Sequence, residues 1–324
     1  MIEPPLASDD PPVLADWLEL VTVLSEEQTG NISLVLDSAD IAEDSEIEDI
    51  AANDSTRDSQ AEAIAETILS RRTTLGEEAY PFLMSTNGER LHITPNRTYG
   101  HSTYLACLMI SHSWRSGKLV APASLSEDEL RTARTQFEIL TAVAAVGLAT
   151  GPSFLLGTNR AGAQGLQDRV SEICNIVGEG RGRPILHTAA PDAANDDGVD
   201  VLAVHPELDG PPHRTFWFCQ SASGENYSDK PIINIIDGFL DIWFDERPAH
   251  TSGALFFPST LDTVRAIYLT PRLGHLYHRL RMPYYSQIGF SMIADDGNLI
   301  HYVDDVRSPV VWLNQCLRRI GTEL

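Results

Sequence analysis

A single carboxylate interrupts an otherwise apolar run, Val199-Asp200-Val201-Leu202-Ala203-Val204. Burying a lone carboxylate is expensive. Asp200 is therefore either a structural residue, salt-bridged or hydrogen-bonded at a strand end, or part of a site that uses its charge. Further on, the run Thr215-Phe216-Trp217-Phe218-Cys219 ends in Gln220-Ser221-Ala222, and a polar stretch continues to Lys230. Antiparallel pairing of the two runs sets Asp200 beside Gln220, with Lys230 returning over both. Arg272, His275, His278, Arg279 and Arg281 form the densest basic cluster. It reads either as a phosphate-contacting group or as a helix surface that neutralises nearby acids.

Positioning these side chains requires a particular order of elements. Leu166, Val170, Ile173, Cys174 and Val177 recur at helical spacing and Gly178 can end their helix, with Gln167 at the edge of the apolar stripe. Strands are predicted at Pro184–Ala189, at Val199–Val204 and at Thr215–Gln220, the last two joined by the turn residues Leu208-Asp209-Gly210-Pro211-Pro212. Ile232–Phe244 then carries Ile235, Ile236, Phe239, Leu240 and Trp243 at helical spacing, and Ala254–Phe257 is a further strand. The order helix, three strands, helix, strand predicts an α/β unit over 151–258, followed by an extension over 259–324 that ends in an amphipathic helix, Val310–Ile320.

Residues 1–150 read as a mainly helical region. Pro11-Pro12 opens a helix with Leu14, Trp17, Leu18, Val21 and Leu24 on its apolar face. Asp37–Asp58 holds almost nothing able to pack and predicts a solvated loop or short acidic helix. Further helices are predicted at Ala61–Arg72 and His101–Trp114, with a short strand at Tyr80–Met84. Ser126 and Glu129 stand at capping-box spacing before a long helix, Glu127–Leu148.

The chain of 324 residues is 43% hydrophobic and 21% charged, enough for a packed core and against wholesale disorder. Its longest apolar runs are too short for a membrane span. The first residues lack the basic-then-apolar order of a secretory signal, and Cys107, Cys174, Cys219 and Cys316 are scattered among apolar neighbours. A cytoplasmic protein with buried free thiols is expected. The net charge of −23 is uneven: residues 1–70 hold 18 of the 46 acidic side chains against one basic residue, Arg57. The remainder is close enough to neutral for a phosphate-binding cleft, while the acidic N-terminal region is a candidate surface for a protein partner.

Around these motifs the chain resembles the PD-(D/E)xK nuclease superfamily, in its restriction-endonuclease-like, Mrr-type branch, over about residues 160–258. Gly165, Gln167, Val170, Ile173-Cys174 and Gly178 follow that branch's first helix, with Gln167 where Glu is usual. Asp197-Gly198-Val199-Asp200 is similar to its Gly-Gly-(Ile/Val)-Asp strand, and Gln220-Ser221-Ala222 to its Gln-x-Lys strand, with Ala222 in place of the lysine. Lys230 looks like a migrated replacement. The resemblance implies a restriction-endonuclease-like mixed sheet flanked by helices, and metal-dependent cleavage of nucleic acid, DNA first, in a setting of bacterial defence or restriction. It also implies Mg2+ or Mn2+ held by Asp200, Gln220 and the Ser221 carbonyl, with Lys230 orienting a water or holding the phosphate and Gln167 reaching the same water shell. Two amides in place of acids leave a second possibility open, a catalytically inactive nuclease-fold subunit that binds nucleic acid or scaffolds a complex.

Overall fold

A computed structural model describes residues 3–6, 9–43, 50–113, 126–157, 162–192 and 194–321. The chain folds into two compact units, Met1–Thr132 with Val310–Leu324, and Ala133–Pro309. The expected borders at residues 150 and 258 do not coincide with these units. Residues 133–150 and 259–309 belong with the α/β unit because they cover and extend its sheet.

In the first unit, α1 (Pro11–Leu24) packs on α3 (Ile50–Leu75), with β1 (Thr29–Asn31) and α2 (Ile32–Glu43) between them in sequence. Two more strands, β2 (Phe82–Met84) and β3 (Arg90–Ile93), complete an antiparallel sheet in the order β1-β3-β2. Next comes α4 (Tyr99–Ser113), which is buried along its length from Gly100. One expectation is corrected here, and a choice left open between loop and helix is decided. The apolar stripe of α1 is buried as predicted at Leu14, Trp17, Leu18 and Leu24, but so are Asp16 and Glu19, which an amphipathic helix would leave in water. Arg71 of α3 meets both, with Nη1 2.8 Å from Asp16 and 2.7 Å from Glu19, and Glu19 also accepts from Tyr80 and Tyr104. The acidic stretch 37–58 is helical wherever it is described, because α2 gains burial at Ile32, Val35, Leu36 and Ala39 and α3 extends ahead of its own buried face at Ile64 and Ile68.

Helix α5 (Glu127–Ala149) opens on the predicted capping box: Glu129 accepts from the Ser126 backbone N–H at 2.7 Å, and the Ser126 hydroxyl accepts from that of Glu129 at 3.3 Å. The second unit then runs through β4 (Ser153–Leu155), α6 (Gly162–Val177), β5 (Arg181–Gly182), β6 (Val201–His205), β7 (Thr215–Ser221), α7 (Ile232–Trp243), β8 (Phe244–Glu246) and β9 (His250–Phe256). It finishes with α8 (Thr263–Leu273), β10 (His275–Tyr277), α9 (Met282–Asp295) and β11 (Ile300–His301), after which α10 (Ser308–Gly321) leads back to the first unit. The six-stranded sheet has the order β10-β9-β7-β6-β4-β11. It is mixed: β6 runs antiparallel to β4 and β7, whereas β7, β9 and β10 are parallel.

One face of the sheet carries Leu202, Val204, Phe216 and Phe218 against the predicted stripe of α6 and against Ile232, Ile236, Phe239, Leu240 and Trp243 of α7. α5 meets the sheet where Thr141 donates to Ser221 (3.4 Å), and α9 does so through Tyr285 on Tyr277. These two helices approach so closely that a Cβ on Gly147 would sit 2.0 Å from the Tyr285 carbonyl oxygen, and one on Gly289 2.0 Å from that of Val143. The strand expected at Pro184–Ala189 is absent. Pro184 cannot donate a ladder bond, Ile185 is 80% exposed, and pairing occurs instead at Arg181–Gly182 with β8.

Candidate functional site

Asp200 lies one residue ahead of β6, and Val201 pairs with Cys219, so one more antiparallel step sets Asp200 opposite Gln220. Its Oδ2 accepts from the Ser221 backbone N–H at 2.7 Å, and Lys230 Nζ donates to the Ser221 carbonyl at 3.1 Å. The anion and the cation therefore converge on the two backbone groups of one residue. Local chemistry explains both approaches. Ahead of Asp200 the chain turns through Asp197 and Gly198, at φ 47° and 85°, and Asp196 Oδ1 accepts from the Gly198 N–H. Asp197 is occupied structurally, accepting from the Trp243 indole at 2.9 Å. After Ala222 a 3-10 turn, Glu225–Asp229, is pinned by Tyr227 stacked on Phe257 with ring centroids 4.3 Å apart, and it delivers Lys230 just before Pro231 starts α7.

Burial pushes the Asp200 carboxyl up to about 7, with Asp196 and Glu138 adding like charge, while the Ser221 N–H and Lys230 oppose the shift. Glu138 on α5 is also raised, first by burial and then by Asp196, against Lys230 and Arg134. Asp196 and Glu138 thus share the field of Asp200, and neither stands out from motif spacing. Glu138 has a legible signal, an acid set inside Phe137-Glu138-Ile139-Leu140, the same anomaly that singles out Asp200. Gln220 is 7% exposed, and its Oε1 has no hydrogen-bond partner among the described residues.

Gln167 does not join this group. It is buried, but its Nε2 donates to the Arg183 carbonyl at 2.6 Å, in the segment that follows β5. The basic cluster does not form one helix surface either. Gly274, at φ 85°, ends α8, and β10 begins at His275. Arg272 and His275 are exposed, whereas Arg279 is 1% exposed and His278 is buried and neutral, pushed down to about 3 by burial and by Arg281 and Arg279. Arg281 is exposed but donates to the Leu276 carbonyl. Tertiary packing splits the cluster because residues 276–279 pass beneath the surface.

All four cysteines are free and buried. No described helix is long and apolar enough to cross a membrane. Among the described residues, no three His, Cys, Asp or Glu side chains are grouped so as to enclose a metal ion. Any cation at Asp200 would therefore be met in part by neutral oxygens. No protein-family model, curated protein or solved structure matches this chain.

Proposed function

We propose that Asp200, Gln220, Ser221 and Lys230 form the centre of a metal-dependent phosphodiesterase that cleaves nucleic acid, DNA first, within a restriction-endonuclease-like fold and a defence or restriction role. The observation that carries this reading is the convergence of Asp200 and Lys230 on Ser221 beside the unpartnered Gln220 Oε1. The Asp200 carboxylate, the Gln220 Oε1 and the Ser221 carbonyl are hard oxygen donors, which suit Mg2+ or Mn2+. When bound, such a cation would lower the pKa of an attacking water and neutralise developing phosphate charge. Asp200 and the Gln220 amide oxygen would hold it, with the Ser221 carbonyl as a third oxygen that also accepts from Lys230. The Lys230 ammonium would meet a phosphate oxygen as negative charge accumulates. Asp196 and Glu138 add to the negative field that draws a cation, and they raise the proton affinity of Asp200 that the cation must overcome.

The test is cleavage of plasmid and of single-stranded oligonucleotide by the purified full chain with magnesium or manganese. Asp200→Ala is expected to abolish cleavage with its melting transition retained, and Lys230→Ala to lower it by about 10²–10³ with affinity nearly unchanged. Equal rates in wild type and Asp200→Ala place the chemistry elsewhere. The neutral Gln220, and the lack of a three-acid group among the described residues, favour the second reading, a non-catalytic nuclease-fold subunit. Tight binding without cleavage by wild type would select it.

A further inference from the structure

Helix α8 carries two faces of opposite design. Ala266, Leu269 and Leu273 pack inward against Ala222, Tyr227, Leu255 and Phe257. Outward, one stripe bears Val264 (79% exposed), Ile267 (70%) and Tyr268 (58%). The stripe continues at Arg272, whose guanidinium lies 4.2 Å from the Tyr268 ring centroid and donates to its hydroxyl. Three large apolar side chains exposed on consecutive turns are not needed to hold α8 in place, since its other face does that, and such a patch marks a contact surface. Its charge is as one-sided as its polarity. Between Thr263 and Leu273 the helix carries Arg265 and Arg272 and no Asp or Glu, in a chain whose net charge is −23. Arg265, Arg272 and His275, all exposed, flank the apolar stripe.

We propose that this face of α8 is a platform for single-stranded nucleic acid, on which bases lie against Tyr268, Ile267 and Val264 while Arg265 and Arg272 meet the phosphates. The occupant must be apolar and anionic together, and a single strand presents both base faces and phosphates, whereas a duplex hides its base faces in the stack. The mounting of the helix argues for the same occupant. Its buried face rests on Ala222, which directly follows Ser221, and on Tyr227, which pins the turn carrying Lys230. A strand leaving the Ser221–Lys230 centre past Ala222 and Tyr227 would reach α8, and passing around that helix would bring it to the exposed stripe. The Arg272–Tyr268 stack leaves one ring face for a base and presents guanidinium N–H groups to a phosphate. The inference rests on the nuclease reading for the path of the strand, and its test is one of binding.

Fluorescence anisotropy of the full-length Asp200→Ala protein should be measured with a labelled oligonucleotide of about 20 nucleotides, single-stranded and then annealed into a duplex. The single strand is expected to bind at least about tenfold more tightly, and Tyr268→Ala to weaken it about tenfold, the usual scale of one lost base stack. Arg272→Gln should weaken binding and reduce its salt dependence by about one counterion, an effect that a purely structural role would not produce. Both side chains are exposed, so circular dichroism should show the fold intact. Equal affinity for duplex, or insensitivity of single-strand binding to Tyr268→Ala and Arg272→Gln, would overturn the proposal. So would self-association abolished by Ile267→Ser without any effect on nucleic-acid binding, which would assign the face to a second copy of the chain. Binding that behaves as expected, together with no cleavage by the wild-type chain under magnesium or manganese, would reject the nuclease reading and keep the platform.

Discussion

The Arg71 cluster of the first unit and the Asp200 cluster of the second both take carboxylates out of water, yet they treat the charge differently. Around Arg71, which is 2% exposed, Glu19 accepts from the guanidinium and from the hydroxyls of Tyr80 and Tyr104, and Asp16 accepts from Arg71 and lies 2.6 Å from His112 Nε2. Every carboxylate there has close donors, the condition under which a buried ionic group is compatible with stability. At the other cluster Asp200 accepts a single backbone N–H, two further acids raise its pKa, and the neighbouring Gln220 Oε1 is unmet. Saturated charge is a structural device, whereas charge left under-satisfied beside an orphaned acceptor is what a binding site looks like before its ligand arrives.

The sharpest way to break this comparison is to remove the cation from the saturated side. Arg71→Met should destabilise the protein by about 3–5 kcal/mol, because Glu19 and Asp16 remain buried without their partner. Urea unfolding monitored by fluorescence checks this, and a loss below about 1 kcal/mol would mean that the cluster is not structural.

At the under-satisfied side the opposite sign is expected. The folded pKa of Asp200 is raised from its ordinary 3.8 to about 7, so the folded state holds this proton more tightly than the unfolded one. Its stabilising contribution is complete below about pH 4 and is lost as pH rises through 7. Asp200→Asn keeps an acceptor for the Ser221 N–H and removes the charge, so it should stabilise the protein at pH 8 by about 2 kcal/mol, allowing for partial solvation of a half-buried group. At pH 4 the effect should nearly vanish, and denaturant melts at the two pH values read the difference. A substitution that leaves stability at pH 8 unchanged relative to wild type, or lowers it, would show that Asp200 is an ordinary ionised residue.

Smaller effects separate the two glutamines. The Oε1 of each lacks a partner among the described residues, so the difference lies at Nε2: Gln167→Met should cost about 1 kcal/mol, since it deletes the Nε2 bond to the Arg183 carbonyl, while Gln220→Met deletes no such bond and should cost less or stabilise. Thermal melts of both variants under one condition make the comparison. The smallest effect is expected for Glu138→Gln. It should lower the pH at which Asp200 deprotonates, and by less than removing Asp196 would, since Glu138 stands behind burial and Asp196 among the causes that raise it; a carboxyl-carbon NMR titration would report the change.

Much of the second unit was legible because local pattern and tertiary role coincide there. The stripe Leu166-Val170-Ile173-Cys174-Val177 is the buried face of α6, and the runs at Val201 and Thr215 pair as expected; in the first unit the capping box at Ser126 forms as well. Pro184–Ala189 shows where short apolar runs fail: such a run is a strand only if an edge is available to pair with. Asp16 and Glu19 fail for a related reason. Their burial depends on Arg71, Tyr80, Tyr104 and His112, which are distant in sequence and invisible to periodicity.

Composition, periodicity and turn chemistry by themselves determined that this chain has an α/β unit, where most of its helices begin and end, and that Asp200 is an anomaly requiring an explanation. They could do so because solvent sorts each residue by local pattern before any distant contact is made. Only the tertiary structure decided which partners resolve that anomaly. It brought Lys230 to Ser221, sent Gln167 to Arg183, placed Glu138 and Asp196 in the field of Asp200, and split the basic cluster between surface and core. Hydrogen bonds and charge interactions depend on distances of a few ångströms between residues far apart in sequence, and those distances exist only once the sheet and its covering helices have packed.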